Sequence, residues 1–179
     1  MADFEIKDGV LIKYHGHSQE VVVPEGIIAI GDSTFKDNNS IISIELPQSL
    51  INIGEEAFSN CEHLTKLVFP SKLEFIGERA FFHCESLKKI KLSKTIKFIG
   101  FDAFGYTKIK DIYYGGTLEE FGAINTTVYP FPVLVPFSDT SFSGSTFGMY
   151  SPVLHCKDIK DSLYYLLSKL QGLLEEIEQ

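Results

Sequence analysis

Between residues 24 and 114 the apolar positions return at an interval much longer than the period of any single helix or strand. Divided before each apolar run, the chain reads PEGIIAIGDSTFKDNNSIISIEL (24–46), PQSLINIGEEAFSNCEHLTKLVF (47–69), PSKLEFIGERAFFHCESLKKIKL (70–92) and SKTIKFIGFDAFGYTKIKDIYY (93–114). The first three units are 23 residues long and the fourth is one residue shorter. Ile30, Ile53, Ile76 and Ile99 fall in register, as do Gly31, Gly54, Gly77 and Gly100, and then Phe35, Phe58, Phe81 and Phe104. A unit this small cannot bury its own apolar face, so the period predicts a stack in which each unit covers the next.

Each unit closes on the spacing Leu-x-x-Leu-x-Leu, in the forms Ile41, Ile44, Leu46; Leu64, Leu67, Phe69; Leu87, Ile90, Leu92; and Ile109, Ile112, Tyr114. The last two positions alternate as a strand with one buried face does, which predicts one short parallel strand per unit. Upstream, the glycine is followed by Asp32, Glu55 or Glu78, and then by Ala57, Ala80 or Ala103 ahead of the phenylalanine. An acidic residue there suits the first turn of a short helical segment, whose free N–H groups favour negative charge. The glycine itself is expected either at a φ that other residues resist or where two backbones approach closely.

These units resemble the leucine-rich repeat superfamily and, more narrowly, its BspA-like class, whose repeats run I-G-x-x-A-F-x-x-C-x-x-L-x-x-I-x-L-P. The resemblance covers residues 24–114. It implies an α/β solenoid: a right-handed coil with short parallel strands on its concave face and helical or irregular turns on its convex one. The ordinary leucine-rich repeat carries asparagine three residues beyond its last leucine, where this chain has Ser49, Lys72 and Thr95. That missing asparagine ladder favours the BspA-like class. The opening, FEIKDGVLIKYHGHSQEVVVP, resembles the lead-in of the same class, and Asp8-Gly9 suits a two-residue hairpin turn.

The domain reading is a solenoid over 1–157, with a lead-in at 1–23, repeats at 24–114 and an irregular terminal segment at 115–157, followed by an amphipathic helix at 158–179. In the terminal segment, DIYYGGTLEEFGAI resembles the end of many such proteins, and PVLHC suits one further strand. The stretch between them, with Pro130, Pro132, Pro136 and Pro152, reads as loop. The final stretch places apolar residues at 159, 163, 166, 170, 173 and 177, a heptad stripe with Gly172 inside it. It is expected to cap the exposed end of the stack or to pair two copies as a homodimer.

Composition narrows the function more than the fold. A net charge of −8 argues against nonspecific binding to nucleic acid, which needs a broad basic face. No run of 18 apolar residues occurs, so membrane insertion is not expected. MADFEIKDGV lacks the basic start and apolar stretch of a signal peptide. The chain as written therefore reads as cytoplasmic, or as secreted or surface-displayed if a leader has been removed. Three cysteines, an odd number, do not suggest a disulfide framework. Cys61 and Cys84 share a repeat position and are expected to stack in the core as buried thiols, although a strand spacing of about 4.8 Å leaves a bridge geometrically open.

Catalytic chemistry finds little support. His15 and His17 could turn two imidazoles to one side of a strand, but no cysteine or carboxylate stands at ligand spacing beside them, and surface histidine is the simpler reading. GSTFG (144–148) resembles the hydrolase elbow G-x-S-x-G only faintly and lacks the buried strand before it. No phosphate-binding glycine loop, H-E-x-x-H or dinucleotide fingerprint is present, and no cofactor is expected.

The expected function is noncatalytic binding; where proteins of the resembled class have a known role, it is implicated in adhesion and protein binding. With Leu67 and Phe69 inward, Lys66 and Val68 turn outward, and the repeat step aligns Glu20 and Val22, Ser43 and Glu45, Lys89 and Lys91, then Asp111 and Tyr113. The candidate binding residues on this concave face are Glu45, Lys66, Val68, Lys89, Lys91, Asp111 and Tyr113. From Lys88 to Lys110 seven lysines accompany one acid, Asp102, so the expected partner is a protein with an acidic patch, and Tyr113 is the expected aromatic anchor. Three alternatives stand beside this: a solvated charged face that only keeps exposed strands from aggregating, a scaffold that self-associates through its C-terminal helix, and an enzyme with its site in 115–157.

Overall fold

A computed structural model describes residues 3–126 and 153–155. The expected loop with its GSTFG motif and the heptad helix at 158–179 lie outside these residues. The chain enters through a hairpin, in which β1 (Phe4–Lys7) and β2 (Val10–Tyr14) pair antiparallel. Asp8 and Gly9 between them both take positive φ, 52° and 77°, the backbone that a tight two-residue turn demands.

The strands that follow alternate between two sides of a coil. They are β3 (Glu20–Val22), β4 (Ala29–Ile30), β5 (Ser43–Glu45), β6 (Asn52–Ile53), β7 (Lys66–Val68), β8 (Phe75–Ile76), β9 (Lys89–Leu92), β10 (Phe98–Ile99) and β11 (Asp111–Tyr114). A short helix, α1 (Leu118–Gly122), and the strands β12 (Asn125–Thr126) and β13 (Val153–His155) complete the described chain. β5, β7, β9 and β11 are those expected from the Leu-x-x-Leu-x-Leu spacing, β3 lies where the repeat step aligns Glu20 and Val22, and β13 is the further strand expected in PVLHC. β4, β6, β8 and β10, just ahead of the repeat glycines, are not foreshadowed by the sequence pattern. They join the hairpin in one sheet of order β1-β2-β4-β6-β8-β10-β12, parallel from β2 onward. Each repeat thus supplies two strands, the first only two residues long and too short to show alternation. The stack also continues past residue 114, since β12 pairs with β10 and β13 with β11.

The helical segments expected after the glycines are turns instead. In each turn two residues adopt the left-handed backbone: Ser33 and Asp37, Glu56 and Asn60, Arg79 and His83, Asp102 and Tyr106, with φ between 49° and 61°. Such residues interrupt an α-helix and swing the intervening N–H groups toward the following coil. The N–H of Phe35 donates to the Ala57 carbonyl at 2.8 Å, that of Phe58 to Ala80 at 2.7 Å and that of Phe81 to Ala103 at 2.7 Å. Polar groups that a helix would satisfy within itself are here satisfied by the neighbour. The acid after the glycine serves the same end, because Asp32 Oδ1 accepts the N–H of Glu55 at 2.8 Å. The expected α/β solenoid is therefore a β-solenoid, with α1 the one helix among the described residues. α1 starts from a capping box that the sequence spells as T-x-x-E: the Thr117 hydroxyl accepts from Glu120 N–H at 3.1 Å, and the Glu120 carboxylate accepts from Thr117 N–H at 2.8 Å.

Between the two strand sides lies a continuous apolar core. Phe35, Phe58, Phe81 and Phe104 stack nearly parallel with centroids 4.8, 5.0 and 5.2 Å apart, and Tyr14 covers the first of them at 5.2 Å. Ile41, Leu64, Leu87 and Ile109 are completely buried beside this spine. Cys61 and Cys84 are buried free thiols, each donating to the carbonyl of a spine phenylalanine one coil back, Phe35 or Phe58, at 3.1 Å.

The repeat glycines owe their place to close approach. Positive φ among the described glycines belongs to Gly9 and Gly26, not to them. A Cβ on Gly77 would stand 2.6 Å from the Gly54 carbonyl carbon and 2.7 Å from Glu55 N, and one on Gly100 would stand 2.5 Å from Glu78 N. These obstacles are backbone, so a side chain there must push two coils apart. Gly77→Ala is accordingly expected to destabilise the protein by about 1–3 kcal/mol, read as a lower denaturant midpoint; a parent-like midpoint would show that the coils do not touch there.

Burial pushes the Cys61 thiol up to about 12 from its ordinary 9.0 and moves Cys84 well above that ordinary value. Both thiols keep their protons when folded to a higher pH than when unfolded. Their contribution to stability is therefore intact below pH 9 and is lost as pH rises from there toward 12. Over that window the denaturation midpoint should fall more steeply for the parent than for the Cys61→Ala/Cys84→Ala double variant. Native protein at pH 8 should resist a maleimide at both positions until denaturant is added.

Candidate binding face

The strand rows place outward side chains in the register expected. Glu20, Ser43 and Lys66 form one row across β3, β5 and β7, and Val22, Glu45 and Val68 form the second. In the backbone register of β9, β11 and β13, Lys89 and Asp111 align with Val153, and Lys91 and Tyr113 with His155. Between the rows Val21, Ile44, Leu67, Ile90 and Ile112 point into the core. Because one residue in two is locked inward, its neighbours are held outward.

The ladder is not one sheet, however. β3-β5-β7 and β9-β11-β13 are separate, with no pairing between β7 and β9. The repeat step sets Lys66 against Lys89 at this junction, and like charges placed directly opposite weaken strand pairing. Lys89 turns the other way, with its Nζ 3.7 Å from Asp111 Oδ2. The seven candidates are thereby divided: Glu45, Lys66 and Val68 on one half-face, Lys89, Lys91, Asp111 and Tyr113 on the other.

The lysines of the third and fourth repeats do not gather into one basic patch either. Lys97 reaches Glu74 at 2.7 Å and Lys108 reaches Glu85 at 2.8 Å, both away from the strand rows. The Lys108 ammonium holds the Glu85 carboxyl below its ordinary pKa, first through their hydrogen bond and then through charge. Lys36 and Glu56 form a similar coil-to-coil pair at 2.5 Å.

The half-face on β3, β5 and β7 carries a shallow depression of about 330 Å³, walled by Glu20, Val22, Ser43, Glu45, Lys66 and Val68. This volume is at the low end for ligand sites, and the depression is a trough in a surface rather than an enclosed chamber for chemistry. Of the seven candidate residues, Glu45, Lys66 and Val68 wall this depression, and Glu20, Val22 and Ser43 join them from outside the candidate set. The signal was available in the register, which puts all three on the same rows.

A second exposed feature lies on the turns. His83 and Tyr106 stack at 4.6 Å, Phe82 meets Tyr106 edge-on at 5.0 Å, and the Arg79 guanidinium stands 5.7 Å from Phe82 and 6.0 Å from Phe101. The earlier repeats hold Ser33, Lys36 and Asp37, then Glu56, Ser59 and Asn60, in the places of Arg79, Phe82 and His83. Among the described residues no cluster of three or more His, Cys, Asp or Glu is arranged to hold a metal ion, and His15 lies beside Glu5 at 3.5 Å. No helix among them is long and apolar enough to cross a membrane.

Residues 11–125 match the model of the BspA type leucine rich repeat region in six copies, which extends the four repeats read from the sequence at both ends. No curated protein matches the chain by sequence. Among solved structures, the T. pallidum leucine-rich repeat protein is 22% identical with a TM-score of 0.61, over 69% of this chain and 59% of its own. A leucine-rich repeat protein from Bacteroides capillosus is 26% identical with a TM-score of 0.54, over 63% of this chain and 93% of its own. A leucine-rich cell surface protein from Faecalibacterium prausnitzii is 25% identical with a TM-score of 0.59, over 68% of this chain and 40% of its own. The match along 11–125, on a backbone whose coils repeat at that same interval, makes this chain a member of the BspA-type leucine-rich repeat family.

Proposed function

We propose that this chain is a noncatalytic protein-binding module that engages its partner through the outward strand rows. The observation that supports the reading is the contrast between fixed and free positions. The inward residues of β3, β5, β7, β9 and β11 are committed to the core, while the outward ones vary from repeat to repeat: Glu20 and Val22, Ser43 and Glu45, Lys66 and Val68, Lys89 and Lys91. A stack can change these side chains without disturbing its packing, which is how repeat proteins acquire broad recognition surfaces. Lys66, Lys89 and Lys91 give the middle of the face a positive character that suits an acidic patch on the partner, and Tyr113, 39% exposed, lies in the row beside Lys91.

The described site carries no arrangement for acid–base or nucleophilic chemistry, and family membership favours binding over catalysis. The cell-surface description of the Faecalibacterium protein supports a surface setting for the encounter.

The test is affinity capture from the source organism with the parent and a Lys66→Glu/Lys89→Glu/Lys91→Glu variant. The side chains point away from the core, so the variant should melt within about 1 °C of the parent, surface changes being nearly neutral. It should lose the partner held by the parent, and the parent's binding should weaken as salt rises from low to physiological strength. A partner retained equally by both proteins would move the binding surface off the strand rows.

A further inference from the structure

The trough over β3, β5 and β7 has a chemistry that the lysine-centred face does not share. Its two rows of side chains are two residues apart along the strands, about 6.7 Å, and its three strands span about 10 Å across. Three residues of extended chain, at about 3.3 Å each, cover that span when laid along the stack. Ser43, small and half-buried, opens the centre of one row between Glu20 and Lys66.

Among the large apolar residues described, Val68 and Val22 are the most exposed, at 69% and 63%, and both stand in the other row with Glu45 between them. Two β-branched aliphatics this exposed, one on each side of Glu45, favour a covering partner. The charges agree. Coil-to-coil pairs tie down some of the charges off the strand rows, Lys36 with Glu56, Lys97 with Glu74 and Lys108 with Glu85. Glu20, Glu45 and Lys66 form no ion pair among the described residues, although they stand on neighbouring strands. The trough therefore presents two carboxylates at its first two strands, one ammonium at its third and aliphatic surface on either side of Glu45.

We propose that this trough is a subsite for an extended protein segment that is basic where it crosses Glu20 and Glu45 and acidic where it reaches Lys66, with aliphatic side chains resting on Val22 and Val68. The inference rests on the strand-row reading of the function and adds a polarity to it. A segment of one sign meets repulsion at one end of the trough, whereas a bipolar segment is attracted at both ends in one orientation only.

Three fluorescein-labelled eight-residue peptides that alternate valine with charged residues supply the test. One carries two arginines and then two glutamates; the others carry only arginine or only glutamate. By anisotropy at low salt the bipolar peptide should bind the parent most tightly, by about threefold over either control. Glu20→Lys/Glu45→Lys should weaken it about fivefold and make the all-glutamate peptide the preferred one, and Lys66→Glu should shift preference to the all-arginine peptide. Equal affinity for all three, a single-sign peptide preferred by the parent, or no saturable binding up to about 1 mM would each overturn the subsite. A Lys89→Glu/Lys91→Glu variant, which leaves Lys66 of the trough in place, separates the two ideas. If it loses its captured partner while the peptides show no ranking, the strand rows bind but the trough does not; if the ranking holds while the partner is retained, the trough binds but the lysines are not the partner's contact.

Discussion

Everything in this molecule follows from how closely one coil can lie on the next. At Gly77 and Gly100 the backbones approach more nearly than a Cβ permits, with obstacles at 2.5 to 2.7 Å that are themselves backbone atoms. That contact draws the two strand sides toward ordinary sheet spacing, about 4.8 Å. The phenylalanine spine then stacks at 4.8 to 5.2 Å, so the separation set by the backbone is also one at which parallel rings pack. Hydrogen bonding is divided by side. At the strands before each glycine the N–H groups reach back, as Gly77 does to Ile53 at 2.8 Å, and in the turns they reach forward, as Phe58 does to Ala80. Each coil is held from both directions, and none satisfies its backbone alone.

Departures from the repeat mark places where a neighbour is missing or different. Thr34 stands where later repeats have Ala57, Ala80 and Ala103, and its hydroxyl donates toward the Leu11 carbonyl at 2.9 Å and the Gly31 carbonyl at 2.8 Å. The coil before it is the hairpin strand β2, where the hydroxyl adds a second donor to a Leu11 carbonyl that already accepts the Gly31 N–H at 2.8 Å. Thr107 occupies the place of Cys61 and Cys84 in the last full repeat and donates to Phe104 within its own coil at 2.8 Å, where the thiols reach one coil back. The break between β7 and β9 is a third departure, placed where Lys66 and Lys89 would face each other.

A core fixed so completely leaves the outward strand positions free to vary without cost to packing. Side chains there differ in charge, size and polarity from one repeat to the next, while the residues between them scarcely change. Some charges off these rows pair coil to coil, whereas Glu20, Glu45 and Lys66 on the β3-β5-β7 rows form no ion pair among the described residues. A recognition surface on a repeat protein requires this separation, in which the same residues need not stabilise the fold and select the partner.

The repeat length, the inward and outward register, the hairpin at Asp8-Gly9, the buried thiols and the strand in PVLHC were all legible from spacing alone. Each depends on local periodicity or on turn chemistry carried by adjacent residues. The two-residue strands before the glycines were not legible, because alternation needs more than two positions to show itself. Nor were the turns. An acid after a glycine is a helix-start signal in an isolated segment, and only a neighbouring coil offering Ala57, Ala80 and Ala103 carbonyls makes the left-handed, outward-bonded turn the better solution. The division of the strand face and the trough beside Glu45 likewise depend on which lysine finds which carboxylate across coils. The sequence by itself determined what repeats and which way each side chain faces, since those are properties of one unit. Tertiary structure decided how the units bond, where the sheet breaks and which charges stay unpaired, since those are properties of the contact between units.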